Sequence, residues 1–244
     1  MNRALATGAA GMAGQQAVLD AVAANLANID TPGFRASRPE FAALIAPDGT
    51  ALGIAGATSR LLFTQGKLEE TNNSHDLAID GEGLFRVRTA DGNIAFTRAG
   101  NFTPDAKGRL VLPNGADLDG IRLPDATTGI EVTSAGAVRA NVAGVTAPKS
   151  AGRIQLFAFA NPSALRLGPD GLFYATAESG RAAGSAPGSS GLGNLKQRCL
   201  ERANVSVVDA MMSILSAQRA YEANAKTVQA ADEMLRLANN LERG

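Results

Sequence analysis

Both ends of the chain carry a seven-residue rhythm that the stretch between them lacks. Near the N-terminus Leu5, Met12, Leu19 and Leu26 form one column, with Gly8, Gln15, Val22 and Ile29 each three residues behind. Near the C-terminus the columns are Val207, Ile214, Tyr221, Val228 and Leu235, then Ala210, Ala217, Asn224, Ala231 and Ala238. Two columns at this spacing wind along one face of a helix, and a heptad kept over four repeats favours helix-on-helix packing. In the C-terminal set large residues alternate with small ones, and small residues admit a partner helix closely. Ser206-Val207-Val208-Asp209 has the form of a capping box. The last helix is therefore predicted to open there and run to about Leu241, roughly 54 Å. The first is predicted from Asn2 to about Asn28.

The middle reads differently. Leu77-Ala78-Ile79 leads through Asp80-Gly81-Glu82-Gly83 into Leu84-Phe85-Arg86-Val87-Arg88, a half-buried strand by its alternation. Ala90-Asp91-Gly92-Asn93 supplies a turn, and Ile94 to Arg98 the returning strand. Further strands are expected at residues 109–112, 130–132 and 154–159, separated by turns at Gly108, Asn114-Gly115 and Asp170-Gly171. Short strands with turns every 8 to 12 residues suggest an all-β module. Residues 179–194, rich in Gly and Ser, are expected to be a flexible crossover, and residues 46–59 read as weakly structured.

Chemistry is sparse. Lys plus Arg equals Asp plus Glu at 23 each, so no basic face points to nucleic acid. The single histidine, His75, is read as a turn residue, and the single cysteine, Cys199, as a small packed side chain. No spacing assembles a metal site, a catalytic triad or a phosphate-binding loop, so no cofactor, no metal and no enzymatic activity are expected. No stretch approaches the roughly 20 apolar residues that span a bilayer, and the start does not read as a cleaved leader, so membrane insertion is not expected.

The first helix is expected to end in a particular set of polar residues, Asn25-Leu26-Ala27-Asn28-Ile29-Asp30-Thr31-Pro32-Gly33-Phe34. Leu26, Ile29 and Phe34 suit burial. Asn25, Asn28 and Thr31 offer hydrogen bonds to backbone groups freed at the helix end. Pro32 and Gly33 turn the chain out of the helix. In the last helix Gln218, Arg219 and Asn224 are read as a polar layer, with Asn224 setting register. Ordering costs roughly 1–2 kcal/mol per residue, and the seam side chains return about 1.5–3 kcal/mol each only when fully buried. A lone helical hairpin is left near zero by that comparison. Both ends are thus expected to be loose in a solitary molecule and to order against neighbouring copies.

The stretch from Asn25 to Arg35 closely resembles the N-terminal signature of the bacterial flagellar rod and hook proteins. Ser216-Ala217-Gln218-Arg219-Ala220-Tyr221-Glu222-Ala223-Asn224-Ala225-Lys226 and Ala231-Asp232-Glu233-Met234-Leu235 resemble the same family's C-terminal signature. Phe63 to Asn73 and Phe96-Thr97-Arg98-Ala99-Gly100-Asn101-Phe102 are similar to its central segments. Within the family the chain looks most like the distal rod type; proximal rod and hook types are the alternatives. Three features depart from the pattern: residues 42–59 are shorter and blander than a rod-specific insertion, Arg198 stands where glycine is usual, and Ala203 where serine is usual.

The resemblance implies an α+β fold, with long N- and C-terminal helices forming a coiled-coil-like domain and a central all-β domain. The expected divisions are residues 1–30 and 204–244 for the helical domain, 31–75 for a connecting segment, 76–185 for the β domain and 186–203 for a return linker. It also implies self-assembly into a torque-transmitting tube of the flagellar basal body. The implied partners are copies of the chain, other rod proteins, hook subunits and surrounding ring proteins. Export without a cleaved leader to a rod spanning the periplasm is implied as well. The assembly interface is assigned to Leu5, Met12, Leu19, Leu26, Asn25, Asn28, Thr31, Gly33, Phe34, Val207, Ile214, Gln218, Arg219, Tyr221, Asn224, Val228 and Leu235. A carbohydrate-binding or wall-hydrolysing β protein is the rival of another class. It needs an aromatic platform or a carboxylate pair, and two Tyr with no Trp supply the platform poorly.

Overall fold

The structure is a computed structural model that describes residues 3–45 and 51–241. Asn2, the expected start of the first helix, lies outside the described residues, as does the side chain of Ala238. The chain divides into two compact units. One comprises residues 1–27, 37–62 and 205–244, the other residues 28–36 and 63–204. Helices close both ends and strands fill the middle, an α+β chain.

The first unit holds helix α1, Arg3–Ala27, and helix α2, Val207–Leu241. Ser206 caps α2 as its sequence suggests, with its Oγ accepting from Asp209 N at 3.3 Å. The two helices pack antiparallel through small residues. A Cβ built on Gly8 would lie 2.5 Å from Val228 Cγ2, and one on Gly11 2.7 Å from Asn224 Nδ2. On α2 the buried positions are Ala210, Ala217 and Ala231, the small column of its heptad. The large column is left half-buried at Ile214 and Val228 and exposed at Val207, Tyr221 and Leu235.

Against α1 lies an antiparallel ribbon of strand β1, Ser37–Ile45, and strand β2, Ala51–Leu61. Its register runs from Ser37 opposite Leu61 to Ile45 opposite Ala51, with irregularities at Phe41/Ala42 and Leu44/Ile45. This ribbon corrects one expectation: residues 51–59, read as weakly structured, are strand despite their Ala and Gly, while residues 46–50 of that reading lie outside the described residues. Alanine and glycine carry little β propensity, so pairing with β1 and contact with α1 decide the conformation here.

The second unit is β-rich. A nine-stranded sheet is built around the hairpin of Leu84–Arg88 and Ile94–Thr97, in register from Phe85 opposite Thr97 to Arg88 opposite Ile94. A three-stranded sheet holds Thr127–Val132, Ala137–Val142 and Lys149–Arg153. The core joins Leu77, Ile79, Phe85, Val87, Phe102, Leu110, Ile154 and Leu156, and Phe85 meets Phe102 edge to face at 5.6 Å. Such aromatic pairs add about 0.5–1.5 kcal/mol beyond their burial.

Residues 179–194, expected to be a flexible crossover, also carry paired strand. Ala183–Ser185 pairs with Leu156–Ala158, and Leu192 is buried. Asn194–Gln197 pairs with Leu77–Asp80, and Cys199–Glu201 with Leu68–Glu70. Glycine and serine here form turns that return the chain to the sheet: Ser189 N donates to Ala186 O, and Gly188 N to Gly193 O. His75 sits half-buried in a turn, its backbone N donating to Asn73 Oδ1.

Candidate assembly interface

In the helical unit the four N-terminal seam residues, Leu5, Met12, Leu19 and Leu26, are all half-buried. Asn224 and Val228 stand over Gly11 and Gly8 of α1, so these two are internal seam residues. Gln218 and Arg219 are exposed rather than facing α1. They therefore do not join Asn224 in one polar layer within this chain.

Asn25 acts otherwise than its place in the sequence suggests. It reaches past the helix end to strand β1, with Oδ1 accepting from Ser37 N at 2.9 Å and Nδ2 donating to Ser37 O at 2.8 Å. One amide thus satisfies both backbone groups of a strand residue, in the manner of a ladder partner.

An exposed apolar face of α2 lies outside the residues that the sequence pattern singled out. Val208, Met211, Met212 and Leu215 follow the i, i+3, i+4, i+7 pattern of one helix face and are 55–67% exposed. Further along, Met234 and Leu237 are also exposed. The heptad columns had drawn attention to the neighbouring face instead.

In the β-rich unit the remaining signature residues form a tight turn. Thr31 N donates to Asn28 O at 3.0 Å, and Phe34 N to Thr31 O at 3.3 Å. The Thr31 hydroxyl lies 3.3 Å from Asn28 Oδ1. Gly33 has φ +70, and a Cβ there would lie 2.2 Å from Ala99 N. Both the left-handed backbone and the close approach require glycine. Phe34 lines a groove of about 350 Å³ with Pro32, Leu112, Leu167 and Leu172.

Behind this turn lies a cluster that no sequence pattern announced. Glu201 is buried, as are Arg35 and Arg98. Glu201 Oε1 accepts from Arg35 Nη2 at 2.7 Å and from Gly66 N at 2.8 Å. Its Oε2 accepts from Arg98 Nε at 2.8 Å. Its backbone oxygen accepts from Gly33 N at 2.7 Å. Arg98 also donates to the carbonyls of Gly81, Gly83 and Ile79. Burial pulls the Arg98 guanidinium below its ordinary value, and the charge of Glu201 opposes that pull.

Burying charge costs several kcal/mol per ion and is recovered only with good geometry and full hydrogen bonding. Nearly every acceptor site of Glu201 is used here. Arg35 and Arg98 each lie in a stretch resembling the family, and two arginines among apolar neighbours call for a carboxylate. That requirement, rather than any motif, is the signal that could have located Glu201.

Three family descriptions match the chain in order. "Flagella basal body rod protein" covers residues 5–35, "Flagellar hook protein FlgE/F/G D1 domain" residues 78–140, and "Flagellar basal body rod FlgEFG protein C-terminal" residues 196–241. The flagellar basal-body rod protein FlgG of Borreliella burgdorferi is 37% identical over 264 aligned positions, covering 100% of both chains. That of Caulobacter vibrioides is 36% identical over 260, covering 98% of this chain and 99% of its own. The flagellar hook protein FlgE of Rhizobium meliloti is 39% identical over 118, but covers 47% of this chain and 29% of its own. Full-length similarity with the rod proteins and partial similarity with the hook protein separate the two types. The chain belongs to the flagellar basal-body rod family and is a structural, non-enzymatic subunit of the distal-rod type.

Proposed function

We propose that the chain polymerises into a helical tube in which α1 and α2 of neighbouring copies pack in coiled-coil fashion and carry torque from motor to hook. The observation that carries this reading is the exposed stripe of Val208, Met211, Met212 and Leu215 on α2. Fully burying an apolar side chain of this size is worth about 1.5–3 kcal/mol, so four give a contact on the order of 10 kcal/mol before ordering costs. The occupant is a helix of another copy. The stripe runs along a helix and has no charged residue among its four members, as a helix–helix seam requires. Contacts that repeat head to tail without closing produce a helical filament. Packed helical interiors deform little, which suits a shaft under twist.

The terminal helices order fully only on assembly, and the β-rich unit folds by itself. The chain resides in the rod where it spans the periplasm. Its partners there are its own copies, other rod proteins, hook subunits and ring proteins. Leu5, Met12, Leu19, Leu26, Val207, Ile214, Tyr221 and Leu235 belong to the subunit contacts along with the stripe.

The test is polymerisation and motility of Met211→Asp and Leu215→Asp variants. Expected is loss of both, with the β-rich unit still folded by its near-ultraviolet spectrum. Normal swimming by either variant contradicts the reading.

A further inference from the structure

The chain passes into or out of the β-rich unit at four places: after Ala27, after Ala36, after Leu62 and after Asn204. Residues beside all four are drawn together within that unit. Asn204 Oδ1 accepts from Ala36 N at 2.7 Å, and its Nδ2 donates to the Thr64 carbonyl and hydroxyl oxygens at 3.0 Å each. Glu201 holds Arg35 and Gly66 through its carboxylate and Gly33 through its backbone oxygen. Arg202, between them, bonds Asp30 and Glu69 at 2.7 Å each. Gly66 N reaches the carboxylate because glycine leaves room: a Cβ there would lie 1.9 Å from Arg202 O.

We propose that Glu201, with Asn204, is the positioning residue that fixes the spacing of these four chain exits, and that this fixed spacing makes the subunit competent to assemble. The role rests on the polymerisation reading above. Apolar side chains of similar volume hold a core together as well as a buried ion cluster does, often better. What a carboxylate shared by two guanidiniums adds is direction, because each bond fixes a distance and an angle. Here that direction is spent on the segment after α1 and the segment before α2. Arg98 anchors the arrangement to the sheet through three carbonyls. Arg35 is the arm that reaches the signature turn, and its Nε is buried without a partner. Stability alone gives no reason to keep an arginine so incompletely satisfied at that position.

The test uses the full chain and three readouts: the thermal midpoint of the β-rich unit, amide exchange at Gly33, Ala36 and Gly66 in the dilute subunit, and the extent of polymerisation. Arg35→Met leaves a charge-balanced Glu201–Arg98 pair and keeps the volume. It is expected to hold the midpoint within a few degrees, to raise exchange at Gly33 and Gly66 roughly tenfold, and to cut polymerisation at least as much. Arg35→Lys is expected to recover part of both. Phe102→Leu, a core change away from the cluster, serves as the comparison. Unchanged exchange in Arg35→Met overturns the fastening. Polymerisation falling no further than in a Phe102→Leu subunit of equal midpoint overturns the positioning role. Failure of the unaltered chain to polymerise overturns the assembly reading, and exchange still decides whether the exits are fastened.

Discussion

Asn224 of α2 stands directly over Gly11 of α1, its Nδ2 2.7 Å from where a Cβ of residue 11 would be. One turn away Val228 stands over Gly8 in the same way. Glycine inside a helix costs roughly 0.5–1 kcal/mol against alanine. Its presence at both positions is explained by the closeness of α2 rather than by helix formation.

Gly8→Ala should therefore destabilise the packed helices although alanine is the better helix former. Overpacking costs typically about 1–3 kcal/mol, which exceeds the propensity gain. Val228 is branched at Cβ and has little freedom to move aside. Thermal dissociation of assembled filaments is the measurement, and a lower midpoint than the unaltered chain is expected. Ala9, exposed on the same helix, should accept serine with little change.

Arg198 has φ 62, a left-handed conformation that suits glycine. Arg198→Gly should raise the stability of the β-rich unit, because the backbone strain of about 1–2 kcal/mol exceeds the added freedom of the unfolded chain. A rise of a few degrees in its melting midpoint is expected. Gly33→Ala should do the reverse and more, since a Cβ there strikes the Ala99 backbone as well.

Acid should loosen the β-rich unit in a defined window. Hydrogen bonds from Lys196 hold Asp80 below its ordinary value of 3.8, and backbone bonds from Arg109 do the same for Asp105. Arg202 lowers Glu69 from 4.5. A carboxylate whose folded value is depressed contributes stability above its unfolded value and loses it as pH falls through the folded one. The urea midpoint should be level from about pH 5 to 8 and decline below about pH 4. Tyr174 works at the other end. Its hydroxyl donates to Asp170 at 2.6 Å, which pushes the phenol from 10.0 up to about 12. That contribution is present below pH 10 and is lost as the pH rises from about 10 to about 12.

The helices were legible because their signals are local: heptad columns, a capping box, and a proline and glycine at the exit. The hairpin of residues 84–97 was legible for the same reason, with alternation on both sides of an Asp-Gly turn. Strands β1 and β2 were not, because alanine and glycine declare no preference and the conformation comes from pairing. The buried cluster was hidden differently. Arg35, Arg98 and Glu201 are separated by 63 and 103 residues or more, and no periodicity links them. The exposed stripe on α2 was passed over because two overlapping faces of one helix both read as apolar. The heptad emphasised the one that packs against α1.

Limited proteolysis separates the two units by sequence range. Trypsin should cut early in exposed segments at Arg38, Arg60 and within α2 at Arg219 and Lys226. The surviving fragment should begin near residue 63 and extend to about 204, because Glu201 and Asn204 are built into the β-rich unit. A core ending near residue 190 would mean that the last two strands are not part of it. Mass spectrometry of the digest reads this directly.

The central claim is that α1 and α2 depend on neighbouring copies for their stability. Hydrogen exchange of residues 5–27 and 207–237, compared between a dilute subunit and assembled filaments, tests it most directly. Expected is rapid exchange in the dilute subunit, slowed by several orders of magnitude on assembly, with residues 77–87 protected in both. Equal and strong protection of both helices in the dilute subunit would contradict the claim.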